Sequence, residues 1–254
     1  MNFFVVLKKE LIEQWRTKRL LIVGAVFVLF GLSSPLLAKV TPDLLKAVPG
    51  MPTGMADLIP APTIADAVGQ YAKNLSQFGI LLALLMTMGS VAQEKERGTA
   101  AMMLTHPVSR LTFLVAKFTA LGLTFALSLV IAALACWYYT LLLFGSLSWG
   151  PFLAMNGLML IVFLVYIAVT LLCSTLARTQ GAAAGLSFAA LVLVAGIGSL
   201  PSIGEYFPGR LFGWGGALVL GGDVDAAWPA FWISLGLIAA ALFAAWLVFR
   251  KQEL

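Results

Sequence analysis

The sequence predicts an all-α membrane protein with six transmembrane helices, and three observations lead to this fold class. Hydrophobic residues make up 61% of the 254 residues and charged residues only 11%, whereas a soluble domain is about a quarter charged. Six apolar runs are long enough to cross a hydrocarbon core of about 30 Å, and basic residues gather at their ends. A soluble domain is therefore excluded. The net charge of +5 sets membrane orientation and indicates no nucleic-acid partner.

Residues 1–19 are predicted to form an interfacial amphipathic helix that lies along the membrane surface. Apolar side chains recur every four residues, which places them on one helical face with the charges elsewhere. These side chains are Phe3, Leu7, Leu11 and Trp15. A secretory signal peptide is disfavoured because no Ala-x-Ala cleavage site follows the first apolar run. We expect the helix to be retained, with residues 20–254 forming the six-span transmembrane domain.

The six spans are predicted at about residues 20–38, 75–92, 111–143, 152–176, 181–200 and 229–249. Residues 39–73 contain five prolines, so this linker is predicted to be irregular and to become helical only near 65–74. Met51 and Met55 within it could be interpreted as a soft copper-binding pair. Without a histidine or cysteine nearby they are better interpreted as ordinary loop residues, and a metal role for them is left open.

Two features of the later spans concern packing. Gly181, Gly185 and Ala189 are four residues apart on the fifth span, and small residues at this spacing let two helices approach closely. That contact lies either inside one subunit or between two subunits, and both options stay open. Residues 211–220 are apolar but too short to cross, so we predict a re-entrant segment before the last span.

The basic residues predict the orientation. If the N-terminus is cytoplasmic, 12 of the 16 lysines and arginines lie on the cytoplasmic side, as the positive-inside rule requires. These are Lys8, Lys9, Arg16, Lys18, Arg19, Lys95, Arg97, Arg110, Lys117, Arg178, Arg250 and Lys251. The sequence therefore predicts a multi-pass protein of the cell (cytoplasmic) membrane with both termini in the cytoplasm.

The segment between the second and third spans, residues 93–110, has an ordered pattern. Four consecutive charged residues, 94–97, force the chain out of the hydrocarbon, and Gly98 then ends the helix. Thr99 is predicted to cap a short helix, Ala100 to Thr105, which Pro107 stops. Ser109 is predicted to cap the third span.

This pattern, together with Lys117 in the following apolar run, resembles the first intracellular loop of the type-2 ABC exporter permeases. It is most similar to permeases related to the membrane subunit of the nitrous oxide reductase maturation transporter. The resemblance implies that the short helix is a coupling helix that docks on a separate ATPase subunit. The residues to which it assigns this coupling role are Glu94, Glu96, Arg97, Gly98, Thr99, Met102, Met103, Leu104, Thr105, Pro107 and Arg110.

The resemblance also implies partners: two ABC ATPase subunits, a second permease copy in a homodimer, and membrane lipid, with an extracytoplasmic accessory protein left open. The chain has no Gly-Lys pair and hence no phosphate loop, so ATP and magnesium are expected in the partner and no cofactor here. His106 is the only histidine, and Cys136 and Cys173 are predicted near opposite membrane faces. No metal site, disulfide or catalytic residue is therefore predicted.

The function predicted is the membrane-spanning permease subunit of an ATP-driven ABC exporter, which is not itself an enzyme. The second and fifth spans are nearly uncharged, which favours a lipidic, apolar or weakly polar cargo. One alternative is a non-transporting membrane scaffold or assembly factor for an extracytoplasmic enzyme. Another, an ATP-independent carrier, is disfavoured because no ionisable residue is predicted near the centre of a span.

Overall fold

Helices account for the secondary structure of the residues that the computed structural model describes, which are 2–46, 61–99, 109–222 and 226–252. In chain order they are α1 (Phe3–Arg16), α2 (Arg19–Lys46), α3 (Ile64–Thr87), α4 (Ala92–Glu96), α5 (Arg110–Phe144), α6 (Trp149–Leu176), α7 (Gln180–Gly198), a 3₁₀ helix (Gly204–Tyr206), α8 (Arg210–Leu220) and α9 (Trp228–Lys251). Within these described ranges there is no β-strand.

Six helical segments are long and apolar enough to cross a membrane: α2, α3 with α4, α5, α6, α7 and α9. The prediction of an all-α protein with six spans is thereby confirmed. At about 1.5 Å per residue, the 35 residues of α5 extend over about 52 Å. This helix is therefore longer than the hydrocarbon core, and at least one of its ends protrudes beyond it.

The helix of the first span continues beyond the predicted boundary at residue 38, to Lys46 through Pro35 and Pro42. A proline in a helix interior removes one backbone hydrogen bond, but packing against neighbouring helices maintains α2 here. Gly31 lies so close to α5 that a Cβ atom on it would come within 2.6 Å of the Ala132 carbonyl oxygen. Tertiary contact thus outweighs the local preference of the two prolines.

The second span also differs from its prediction. The helical turns expected near 65–74 and the span expected at 75–92 are one helix, α3, which begins at a capping box between Thr63 and Asp66. It ends at Thr87, and the chain resumes helical structure in α4. The side-chain amide of Asn74 donates to the Ser34 hydroxyl at 3.0 Å, which ties this early part of α3 to α2.

The core is built around α6, of whose apolar stretch 67% is buried. Phe27 of α2, Phe125 of α5 and Phe163 of α6 contact one another there, with ring centroids 5.7 to 5.9 Å apart. Between α3 and α6 the buried Tyr71 hydroxyl donates to the Asn156 side-chain oxygen at 2.7 Å. A buried hydroxyl with a partner avoids the cost of an unmade hydrogen bond, so this contact also fixes how the two helices meet.

By contrast, α7 is largely exposed in the single chain, with only 11% of its apolar stretch buried. Gly181, Gly185 and Ala189 all face outward, and a Cβ atom on either glycine would meet nothing within 4 Å. Of the two options for this small-residue face, packing inside the subunit is therefore absent among the described residues. The face is free to contact another molecule.

Helix α8 occupies the segment predicted to be re-entrant, and it has only 11 residues. Leu211 and Trp214 are buried, and a Cβ atom on Gly215 would lie 2.9 Å from the Met155 side chain. Because its glycine lets it approach α6 so closely, α8 packs tightly onto the central helix. Its depth in a membrane stays a prediction.

Candidate functional site

The candidate site lies where α1, α4, the start of α5, the turn between α6 and α7, and the end of α9 meet. We call this the basic end of the bundle, since most lysines and arginines of the chain lie there. Helix α4 is at its centre. The chain leaves α4 through Gly98, whose φ of +71° is a left-handed conformation that glycine adopts without the usual steric cost. Gly98 thus ends the helix, as the sequence predicted.

A buried group of charged side chains joins α4 to α1 and α5. The Lys117 ammonium lies 2.6 Å from Glu94 Oε1 and 3.1 Å from Glu10 Oε2. The side chains of Lys117 and Glu10 are only 2% and 5% exposed. We call Glu10, Glu94 and Lys117 the buried triad. Since an unpaired buried charge is costly, each of the three helices depends on the other two for its charge balance.

Lys9 and Glu13 of α1 extend the triad towards solvent. The Lys9 ammonium lies 2.9 Å from Glu10, 3.0 Å from Glu13 and 3.5 Å from Glu94. Burial alone would lower the pKa of Lys9, but the carboxylates of Glu10 and Glu94 outweigh burial and raise it above its ordinary value. Burial likewise opposes the charged form of Glu13, yet Lys117 and Lys9 hold its pKa below its ordinary value. Both groups are therefore charged at neutral pH.

On its other side, α4 is bonded to the ends of α6 and α7. The Ser174 hydroxyl accepts hydrogen bonds from the backbone N–H groups of Val91 and Ala92 at 3.1 and 3.0 Å. The Glu96 carboxylate accepts from the backbone N–H of Gln180 at 3.0 Å. A carboxylate at the first residue of α7 is favoured by the partial positive charge of a helix N-terminus. Helix α4 is thereby fixed to the turn between the fourth and fifth spans.

The end of α9 is also fastened at this site. Lys95 donates to the Thr175 carbonyl oxygen at 2.6 Å and to the Gln252 side-chain oxygen at 3.0 Å. Arg110 donates to the carbonyl oxygens of Phe249, Arg250 and Gln252. Cations at unpaired carbonyls are stabilising at a helix C-terminus, so Lys95 and Arg110 both hold the last span in place.

At the opposite end of the bundle a cleft opens between α3, α7 and α8. It has a volume of about 630 Å³ and is lined mainly by apolar side chains, among them Ile80, Leu191 and Phe212. Ser76, Gln77, Tyr166 and Ser199 supply its few polar groups. A cleft of this size and lining is typical of a site for an apolar or amphiphilic small molecule.

The profile of the family described as ABC-2 family transporter protein matches residues 4–206 of this chain. The chain belongs to the ABC-2 transporter family. Members of this family are membrane transport subunits and not enzymes, and membership implies partnership with an ABC ATPase subunit. The six spans and the family together make the protein a multi-pass membrane transport subunit.

Two relatives are similar in sequence to this chain over most of its length. The uncharacterized transmembrane protein YxlG of Bacillus subtilis (strain 168) is 26% identical over 251 residues, which cover 97% of this chain and 96% of that protein. The probable ABC transporter permease protein NosY of Pseudomonas aeruginosa is 27% identical over 208 residues, 68% of this chain and 76% of that protein. The second similarity agrees with the ABC-2 assignment.

The structure describes some of the residues predicted to couple this ABC-2 subunit to an ATPase, and others lie outside the described part of the chain. Glu94, Glu96 and Arg110 are bonded within the chain as described, while Arg97 is exposed. The Thr99 hydroxyl donates to the Glu94 carbonyl oxygen at 3.2 Å, a contact that the predicted capping role did not include. The Ser109 cap is confirmed, since its hydroxyl accepts from the Thr112 backbone N–H at 3.0 Å. The predicted coupling helix, with Met102, Met103, Leu104, Thr105 and Pro107, lies outside the described residues, as do Met51, Met55 and His106.

The contact between Lys117 and Glu10 was not predicted, and no pattern in the sequence singled out Glu10. Lys117 was counted as one more basic residue at a span end, although it lies seven residues inside an apolar helix. A charge in such a run requires a partner, and that signal alone pointed to an unidentified carboxylate. The partner is 107 residues away in the sequence, so no local pattern could name it.

Proposed function

We propose that this chain is the membrane subunit of an ATP-driven exporter, in which two permease copies work with two separate ATPase subunits that bind ATP and magnesium. The observation that supports this proposal best is the bonding of α4. Through Glu94, Glu96 and Lys95 it is attached to elements on every side. A push on the segment that follows Gly98 would therefore reach the interfacial helix α1 and the third, fourth, fifth and sixth spans.

In this proposal the basic end faces the cytoplasm and the ATPase docks there. The coupling segment, residues 99–109, joins α4 to α5, and both of these helices are anchored by the buried triad. ATP-driven closure of the ATPase pair would displace the segment, and α4 and α5 would move with it. Directional polar contacts of this kind transmit motion well, because a displacement of any helix would separate buried charges from their partners.

The cleft between α3, α7 and α8 is the proposed place for cargo. Its walls belong to the second and fifth spans, and its polar groups are uncharged. An ion entering such a cleft would lose its hydration without compensation, whereas an amphiphile would bury its apolar part and bond its head to Gln77 or Ser199. We therefore propose a lipidic or weakly polar cargo.

The exposed α7 face supports the proposal of two permease copies. Gly181, Gly185 and Ala189 leave its backbone uncovered within the chain, and small residues at this spacing permit close helix contact. A second copy meeting this face would bring two clefts towards one another. Export by the paired subunits would then proceed along the boundary between them.

The assembly is tested by purification in mild detergent from membranes of the native host. We expect an ATPase subunit with a phosphate loop to co-purify, in a complex of two permeases and two ATPases by native mass spectrometry. The permease alone is expected to hydrolyse no ATP above background. Co-purification with an extracytoplasmic enzyme and no ATPase would instead favour a membrane scaffold, and active transport by the permease alone would favour an ATP-independent carrier.

The orientation is tested with single cysteines on exposed residues of a variant in which Cys136 and Cys173 are alanine. Cysteines at Lys8 and Arg178 on the basic end should react with a membrane-impermeant maleimide only after the cells are opened. A cysteine at Ser202, on the opposite end, should react in intact cells. Reaction of Lys8→Cys from outside would contradict the docking proposal, since the ATPase acts from the cytoplasm.

The cleft is tested with a diazirine-bearing phospholipid in nanodiscs. We expect this probe to label peptides of α7 that line the cleft, and Ala195→Trp to reduce the labelling about tenfold by filling it. Leu193→Trp is the matched control, because Leu193 is two residues away on α7, is 64% exposed and does not line the cleft. Equal labelling of both variants would show that the lipid probe only surrounds the protein.

A further inference from the structure

Helix α1 presents an unusual face to the rest of the protein. The side chains that it buries are Val6, Glu10 and Gln14, two of them polar, while Phe4, Ile12 and Trp15 are exposed. Val6 packs in an apolar cluster with Phe113 and Leu114, and the polar groups that α1 turns inward add directional bonds to this contact. The exposed apolar side chains of α1 are left for the lipid.

The shortest ion pairs between α1 and the rest of the protein meet at the Lys117 ammonium, with a longer pair between Lys9 and Glu94 beside them. The Lys117 ammonium contacts both oxygens of Glu10 at 3.2 and 3.1 Å and also Glu94 at 2.6 Å. It lies 4.8 Å from the centre of the Phe113 ring, so its remaining surroundings include an aromatic face that favours a cation. Lys117 thus binds a carboxylate of α1 and a carboxylate of α4 at the same time.

An apolar contact would behave differently from this arrangement. Two apolar helix faces can slide over one another with little change in free energy, since hydrophobic burial has no preferred direction. A buried ammonium between two carboxylates has one favourable position, because any displacement leaves a charge unpaired. The relative position of α1, α4 and α5 is therefore set by polar geometry.

We propose that Lys117 is a positioning residue that locks α1 to α4 and α5, so that the three helices move as one body and α1 takes part in coupling. The role of α1 in coupling rests on the proposed function. The positioning of α1 by Lys117, which we call the lock, concerns only contacts inside the chain. It is distinct from the docking segment, because Glu10 and Lys117 are buried inside the chain.

The test replaces the Glu10–Lys117 pair by apolar residues of similar volume, Glu10→Leu with Lys117→Met. Such a replacement commonly preserves the fold, and Glu94 keeps Lys9 as a partner. Lys117→Arg retains the charge and should rescue the lock. Lys8→Gln is the control, since Lys8 is exposed on the same helix and outside the triad.

The first readout is hydrogen–deuterium exchange of the α1 peptide in nanodiscs, which needs no ATPase. We expect the double variant to speed α1 exchange about tenfold while α6 is unchanged, with Lys117→Arg and Lys8→Gln close to the unmodified protein. Unchanged exchange would overturn the lock. If the double variant does not insert, Glu10→Gln, which weakens only the α1 contact, is measured with the same expected direction.

The second readout uses the complex with the ATPase that co-purifies. A cysteine at Gln77 in the cleft is labelled with maleimide with and without ATP and vanadate. We expect the double variant to hydrolyse ATP but to lose the nucleotide-dependent change in labelling that the unmodified complex shows. If α1 is loosened and the change persists, α1 has no part in coupling. If no ATPase co-purifies with any form, the proposed function fails while the exchange result still decides the lock.

Discussion

Replacing Met103 and Leu104 together with alanine is expected to weaken binding of the ATPase subunit by about 10²- to 10⁴-fold. Both residues lie in the segment proposed to dock on the ATPase, outside the part of the chain that the structure describes. Burying one such side chain at an interface contributes about 1.5–3 kcal/mol, and a factor of ten in affinity corresponds to 1.4 kcal/mol. Two lost side chains therefore remove about 3–6 kcal/mol. The measurement is the dissociation constant of the purified permease and ATPase in nanodiscs.

A matched control for this loss is Leu142→Ala. Leu142 is 67% exposed near the far end of α5, where a removed side chain faces lipid. It should leave ATPase binding unchanged and show that the permease is folded. If the Met103→Ala/Leu104→Ala protein binds its ATPase as tightly as the control does, residues 99–109 are a simple solvated turn and the proposed docking segment is wrong.

Gly31→Ala is expected to lower the melting temperature of the permease by roughly 2–12 °C. The new Cβ atom would lie 2.6 Å from the Ala132 carbonyl oxygen, so α2 and α5 must separate. Overpacking of this kind costs about 1–3 kcal/mol, and in a chain of this size each kcal/mol changes the Tm by about 2–4 °C. The measurement is thermal unfolding in detergent, followed by intrinsic tryptophan fluorescence.

Gly24→Ala tests the same helix pair without the clash. Its Cβ atom would lie 3.7 Å from the Ser128 hydroxyl oxygen, an ordinary contact, and alanine is favoured over glycine in a helix by about 0.5–1 kcal/mol. The Tm should stay constant or rise slightly. A loss of Tm for Gly24→Ala as large as that for Gly31→Ala would mean that helix flexibility, and not close approach, explains both.

The number of spans was readable from the sequence, while their boundaries were only partly so. A helical run of about 20 apolar residues matches the thickness of the hydrocarbon core. Counting such runs therefore predicted six spans, and six are found. The end of α2 was missed because the five prolines from Pro42 onward predict an irregular linker, whereas the helix continues to Lys46 and close packing at Gly31 supports it. Propensity is local, and packing depends on a neighbour about a hundred residues away.

The candidate site shows the same division. The helix end at Gly98 and the helix cap at Ser109 are each set by residues no more than four positions away in the sequence. Both were predicted correctly. The contacts of Glu94 with Lys117 and of Glu96 with Gln180 were not predicted, since the second joins residues 84 apart in the chain. A single sequence gives the charge of each side chain but not which of several opposite charges it meets. For the triad, three helices must first be placed relative to one another.

The long separation of Glu10 from Lys117 also fixes an order of events during synthesis. A ribosome that adds about 5–20 residues per second needs on the order of ten seconds to make the 107 residues between them. Through that interval Glu10 lacks its buried partner on α5 and has only the Lys9 ammonium of α1 beside it. Helix α1 therefore stays at the membrane surface, with Glu10 hydrated, until the third span has entered the bilayer. It is made before the third span but reaches its final place only after it.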